Sequence, residues 1–199
     1  MVQVTERAGG RRRDRRADAA IIDAVLDLVS GGATLAGLSL VQIASHAGVS
    51  RNSIYRRWAT KDDLYLDVLG SLNRPLPAPS GQSAREEVAA LVAMLVERTM
   101  DRRASAVLRA LNAEADRFPE LHGRYFAEIV EPRRAAMRTA IERGIAAGEI
   151  RPDVDPALAG EVLVAPVLAR MASGATEDLD PAATAQRLTG LVFAGIAPR

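Results

Sequence analysis

The chain has 199 residues, of which 48% are hydrophobic and 4% aromatic, with no Cys and a formal net charge of +1. That length and apolar share can fill the core of one generous domain or two small ones, and they exclude global disorder. The lack of Cys excludes a disulfide framework, a thiol nucleophile and a Cys-based zinc site, and it fits a reducing cytoplasm. The opening MVQVTERAGGRRRDRR has no apolar core like that of a secretory signal, and no run approaches eighteen uninterrupted apolar residues, so neither export nor a membrane span is expected.

The first element is basic. Thr5 to Arg16 holds six arginines against two acids, which reads either as a solvated, frayed tail or as an arm touching nucleic acid. The charge is uneven over a longer range as well: Met1–Arg74 carries +3 and the remainder −2. A helix is expected from about Asp14 to Ser30, because Ile21, Ile22, Val25, Leu26 and Val29 recur at helical spacing and Gly31-Gly32 stops it. In SLVQIASHAG, Ser39 is an N-cap with Gln42 at the capping-box position, and Gly48 ends the helix. Ser50 caps a third short helix carrying RNSIYRR, and Thr60 with Asp63 opens a fourth through Leu64, Leu66, Val68 and Leu69. NRPLPAPSG, Asn73 to Gly81, is a loop or hinge.

Beyond it the pattern stays helical. Ser83 and Glu86 form a capping box ahead of Val88, Leu91, Val92, Leu95 and Val96. Another helix covers about 104–117. A long one runs from Phe118-Pro119 to about Ala147, with Pro132 as a potential kink. Asp155-Pro156 and Asp180-Pro181 each offer an N-cap followed by Pro at the first helical position, opening helices at about 156–173 and 181–196. The expected fold is all-α with about nine helices.

The functional signal lies in AGVSRNSIYRRW, Ala47 to Trp58. Two short helices flank a turn at Gly48, a helix-turn-helix. Ile54 and Trp58 lie four apart, so they share the face that packs inward. Arg51, Asn52, Ser53, Tyr55 and Arg56 fall mainly on the other faces, and Arg, Asn and Ser are side chains that pair with base edges in a DNA groove. The helix start at Ser50 presents N–H groups suited to phosphate. Arg57 and Lys61 add cations, and no acid lies between Val49 and Lys61.

These residues carry a resemblance. LSLVQIASHAGVSRNSIYRRWATKDDLYLDVL is similar to the DNA-binding domain of the TetR (tetracycline repressor) family of transcription regulators, through Ile43, Ala44, Ala47, Gly48, Val49, Ser50, Tyr55, Trp58 and Lys61. Two positions depart from the usual pattern: Arg57 stands where His is common, and Trp58 where Phe is usual. The resemblance implies that Ser39 and Tyr55 contact phosphate and that Lys61 grips the DNA backbone. It implies that Arg51, Asn52, Ser53 and Arg56 face bases or phosphates. It implies a DNA-binding domain at 1–73, with its basic arm, and a C-terminal effector-binding and dimerisation domain at 82–199. The partners would be double-stranded operator DNA, an unknown small-molecule effector and a second copy of the chain.

The same resemblance places the effector cavity among the helices at about 83–101, 104–117 and 120–147, with Met94, Arg98, Leu108, Asn112, Tyr125 and Met137 as candidate lining residues. Methionines at helical spacing are more often plain core filler, and Arg109, Asn112, Glu114 and Tyr125 are more often surface or interhelical contacts. A four-helix dimer interface would use Val162, Leu163, Val167 and Leu168 with Leu188, Leu191, Val192 and Ile196. His46 and His122 are solitary, so no metal site is expected, and no cofactor. The competing reading is an all-α interaction module or enzyme with a basic surface and no DNA role. Against an enzyme stand the missing Gly-rich phosphate loop, metal constellation and nucleophile elbow.

Overall fold

The computed structural model describes residues 5–76, 83–176 and 178–196, with side chains from Arg15 onward. Among them are α1 (Thr5–Ser30), α2 (Leu40–His46), α3 (Arg51–Tyr55), α4 (Lys61–Ser71), α5 (Ala84–Met100), α6 (Arg102–Ala113), α7 (Pro119–Tyr125), a π-helical turn (Phe126–Val130), α8 (Glu131–Ala146), α9 (Pro156–Ser173) and α10 (Pro181–Ile196). The π turn joins α7 to α8 without a break, so the described residues make nine continuous helices and no strand.

Local chemistry sets most of the boundaries. The capping boxes at Ser39–Gln42, Thr60–Asp63 and Ser83–Glu86 are all formed, each hydroxyl accepting the third amide of its helix while the third side chain returns to the cap. Asp155 caps α9 by accepting from the amides of Ala157 and Leu158, with Pro156 at the first position. α1 begins at Thr5 rather than near Asp14, since extending a nucleated helix costs little per residue. The expected tail or arm at 5–16 is therefore helical backbone, although the side chains of 5–14 lie outside the described residues. So do residues 77–81 of the expected loop. The irregularity expected at Pro132 appears one turn upstream. Pro has no amide to donate and its ring crowds the preceding turn, and the Glu131 amide reaches back five residues to the Phe126 carbonyl.

The chain forms two compact units, Met1–Leu72 with Ala106–Gly123, and Asn73–Ser105 with Arg124–Arg199. Residues 106–123 thus pack with the N-terminal segment although they fall inside the range 82–199. In the first unit Ile21, Val25 and Val29 of α1, Leu35 and Leu38 of the following loop, Ile43, Ile54, Trp58 and Leu64 make the core. In the second unit α5, α8, α9 and α10 share a core of Val88, Val92, Val96, Met137, Ile141, Leu163, Val167 and Phe193. Gly144 fixes how closely two of these elements approach. A Cβ there would lie 2.6 Å from the Ala84 Cβ and 2.7 Å from the Ile150 Cδ1. α9 is long and apolar enough by composition to cross a membrane, with a mean hydropathy of 1.2. Its Leu163, Val167 and Met171 nevertheless lie inside the core of the unit.

Candidate nucleic-acid interface

α2 must stop sharply for α3 to start at once, and the turn is built for it. The Ala47 and Val49 amides fold back to the Ile43 and Ala44 carbonyls at 2.9 and 3.0 Å, which requires Gly48 at φ +65°. Ser50 then starts α3 with its hydroxyl accepting the Ser53 amide at 3.3 Å. Helical hydrogen bonding continues past α3, the Trp58 amide reaching the Ile54 carbonyl at 3.0 Å.

The inward face of α3 is the expected one. Ile54 is 1% exposed and Trp58 6%, and the indole N–H donates to Asp67 Oδ2 at 2.8 Å. Arg51, Asn52, Tyr55 and Arg56 are exposed on the outward side. Arg51 donates to the Tyr55 hydroxyl at 2.7 Å and its guanidinium lies 5.1 Å from the ring centre. As an acceptor in that bond, the Tyr55 oxygen keeps its own proton for another acceptor such as phosphate. Half-buried Ser53 pairs its hydroxyl with that of Ser50 at 2.9 Å. Exposed Ser39 both accepts from the Gln42 amide and donates to the Gln42 side chain at 2.8 Å.

Two residues expected on the DNA side turn inward. Lys61 Nζ donates to the Leu35 carbonyl at 2.8 Å and to that of Leu38, and it lies 5.3 Å from the Tyr65 ring centre. Burial pulls its pKa below the ordinary value, against the opposing pull of Glu114 and Asp62. Arg57 pairs with Asp18 of α1 and donates to the Ser53 carbonyl at 2.8 Å. Both cations therefore hold the helix-turn-helix together, Lys61 through the α1–α2 loop and Arg57 through α1. A sequence shows the charge and spacing of such residues but not which way a long side chain folds.

Glu114 has a role the sequence did not reveal. Its carboxylate accepts the Leu35 and Ala36 amides at 2.7 and 2.9 Å, while the buried Tyr65 hydroxyl donates to the Leu35 carbonyl at 2.6 Å. The loop leading into Ser39 and α2 is thus pinned from α4 and from the segment after α6. The 79 residues between Leu35 and Glu114 hide this contact from any local pattern.

Comparison with known proteins decides the family. Residues 35–68 match the bacterial regulatory proteins of the tetR family, and residues 78–192 match the tetracyclin repressor-like C-terminal domain. This chain belongs to the TetR family. It is 27% identical over 163 residues to the HTH-type transcriptional regulator YdeS of Bacillus subtilis, covering 81% of each chain. Its fold is similar to that of a TetR-family regulator from Rhodococcus sp., with a TM-score of 0.72 at 21% identity, over 92% of this chain and 98% of that one. It is also similar to the fatty acid degradation regulator FadR of Bacillus halodurans, with a TM-score of 0.70 at 16% identity, over 89% and 98%. TetR-family proteins are DNA-binding transcriptional repressors with ligand-binding C-terminal domains, not enzymes, and this chain is a regulator of that kind.

The residues expected to line a TetR-type effector cavity are not gathered in one unit. Leu108, buried, and Asn112, exposed, belong to the first. Met94, Arg98, Tyr125 and Met137 belong to the second, where Met137 sits in the common core. Arg98 and Tyr125 do meet: Arg98 Nη2 donates to the Tyr125 hydroxyl at 2.5 Å and Nη1 to Asn73 Oδ1 at 2.9 Å. Arg109 and Glu114 line a separate open groove of about 330 Å³ in the first unit, with Val29, Thr34 and Ala110. The expected dimer residues also divide. Leu163 and Val167 are 0% and 1% exposed and belong to the core, because α9 turns that face toward α5 and α8. Leu188, Val192 and Ile196 are partly buried against the same core, whereas Val162, Leu168 and Leu191 are 50%, 41% and 75% exposed.

Proposed function

We propose that the protein acts in the cytoplasm as a homodimer on double-stranded operator DNA and leaves it when a small molecule binds the C-terminal part of the chain. α3 would enter the major groove, with Arg51, Asn52, Ser53 and Arg56 at base edges or phosphates and Tyr55, Ser39 and Ser50 on the sugar–phosphate backbone. The observation that carries this reading is the division of α3 into a buried Ile54–Trp58 face and an exposed Arg51–Asn52–Tyr55–Arg56 face. Lys61 and Arg57 are positioning residues in this account.

The second copy is supported by where apolar surface is left over. Of the six large apolar side chains exposed among the described residues, Leu158, Val162, Leu168 and Leu191 lie on α9 and α10. Clustered exposed apolar groups mark an interaction surface. Effector and operator would oppose one another reciprocally, each weakening the other's binding by the same factor.

Sedimentation of the wild type and of Val162→Glu with Leu191→Glu tests the assembly, beside binding of each to a duplex from the upstream region of its own gene. The expected result is a dimeric wild type, a monomeric variant and at least a tenfold weaker variant–DNA complex. A monomeric wild type that binds the duplex as tightly as the variant does would overturn the dimer.

A further inference from the structure

The second unit holds a concentration of positive charge that no DNA-facing role uses. Arg98 stands in the last turn of α5 and Arg133 in the first turn of α8, and both are half-buried. Arg98 donates to Asn73 and Tyr125, as above, and Arg133 to the Ile129 carbonyl at 2.8 Å and the Arg74 carbonyl at 3.0 Å. All four acceptors are neutral. The carboxylate nearest in sequence, Glu97, is taken by Arg74 at 2.5 Å. Arg98 Nε is buried with no acceptor at all. The Tyr125 ring lies 5.9 Å from the Arg98 guanidinium and packs edge-on against Phe126.

Buried charges are normally paired with an opposite charge, because taking them out of water is costly. Here the two guanidiniums instead reach neighbouring residues, Asn73 and Arg74, and two positions four apart, Tyr125 and Ile129. Arg133 is held below the ordinary arginine range, first by burial and then by the charge of Arg98. Each guanidinium carries five N–H donors in a fork that fits a carboxylate or phosphate, and each uses two on the neutral acceptors above. An anion between them would relieve the repulsion and take up the remaining donors.

We propose that Arg98 and Arg133 bind the anionic group, carboxylate or phosphate, of the effector that releases this regulator from DNA. This rests on the ligand-responsive reading above and gives the effector a chemical class. Arg133 is the residue the sequence did not single out.

The test is thermal unfolding of the full chain in sodium phosphate, in sodium acetate and in sodium chloride at matched ionic strength, for the wild type, Arg98→Gln, Arg133→Gln and Arg51→Gln. Phosphate or acetate should raise the wild-type midpoint by about 3 °C over chloride at a tenfold excess over its Kd. Whichever anion does so identifies the group. Arg51→Gln, altered only on the DNA surface, should keep the shift, and Arg98→Gln and Arg133→Gln should lose at least half of it. An unshifted wild type, or a shift as large in Arg133→Gln, would overturn the site. Duplex binding by the same preparations in chloride is read separately: its absence from every protein would sink the regulator and leave the anion result standing.

Discussion

The helix-turn-helix and the C-terminal helices are built from the same residue types, yet they store their functions differently. In the first, turn, caps and the exposed face of α3 lie within the twenty residues from Ser39 to Trp58, and each depends on a neighbour three to six positions away. In the second, Arg98 meets Tyr125 and Arg133 meets Arg74 across intervals of 27 and 59 residues. A DNA surface can be read from one short segment because the ligand is a long regular polymer that a single helix can address. A small-molecule site must close around its ligand from several elements.

Breaking the two regions should have different consequences. Trp58→Ala removes the largest buried side chain under α3 and its bond to Asp67, so it should cost about 3–5 kcal/mol and abolish DNA binding. A drop in the urea-unfolding free energy below 1 kcal/mol would mean that α3 is not anchored by that face. In the C-terminal unit Gly144→Ala should cost about 1–3 kcal/mol by overpacking against Ala84 and Ile150. A neutral result there would show that α8 and the start of α5 can separate freely.

Lys61 and Tyr55 sharpen the comparison within the first unit. Lys61→Ala should lower stability by about 2 kcal/mol, since it deletes charge-assisted bonds to the Leu35 and Leu38 carbonyls. Tyr55→Phe should leave stability within about 0.5 kcal/mol and weaken DNA binding by about 1 kcal/mol, as expected for losing one exposed hydroxyl contact. If instead Lys61→Ala is fully stable and only DNA binding falls, the side chain faces phosphate after all.

A further effect is electrostatic. Burial pushes the Tyr65 phenol above its ordinary value of 10.0, so the folded state keeps a proton that the unfolded chain gives up near pH 10. Its contribution is complete below pH 10 and is lost as pH rises beyond, by about 1.4 kcal/mol per unit. Lys61, lowered from 10.5, acts in the opposite sense just below that pH, which is why the comparison is wild type against Tyr65→Phe at pH 8 and 11. The variant should lose less stability than the wild type on that change. Equal losses would show that the Tyr65 hydroxyl is open to solvent.

What the sequence made legible follows the same division. The three capping boxes, the stop at Gly48 and the starts at Pro156 and Pro181 are local, and they stand where the pattern puts them. Ile54 and Trp58 were readable as buried from their spacing alone. Glu114 on the α1–α2 loop was not, because only tertiary folding brings it there. Leu163 and Leu191 look alike as apolar residues of amphipathic helices, and only packing decides that one is core and the other exposed. The inward fold of Lys61 belongs to the same class: the direction of a four-carbon stem is set by carbonyls 23 and 26 residues away.

The most direct test of the central claim is fluorescence anisotropy of the protein on a labelled duplex from the upstream region of its own gene, beside a scrambled duplex, over a salt series and with Asn52→Ala in parallel. The account predicts selective binding by the wild type, with log Kd linear in log salt. It predicts that Asn52→Ala keeps the salt slope and loses about 1–3 kcal/mol of the discrimination between duplexes. Equal affinity of the wild type for both duplexes, or undiminished selectivity in Asn52→Ala, would contradict α3 as the reading helix.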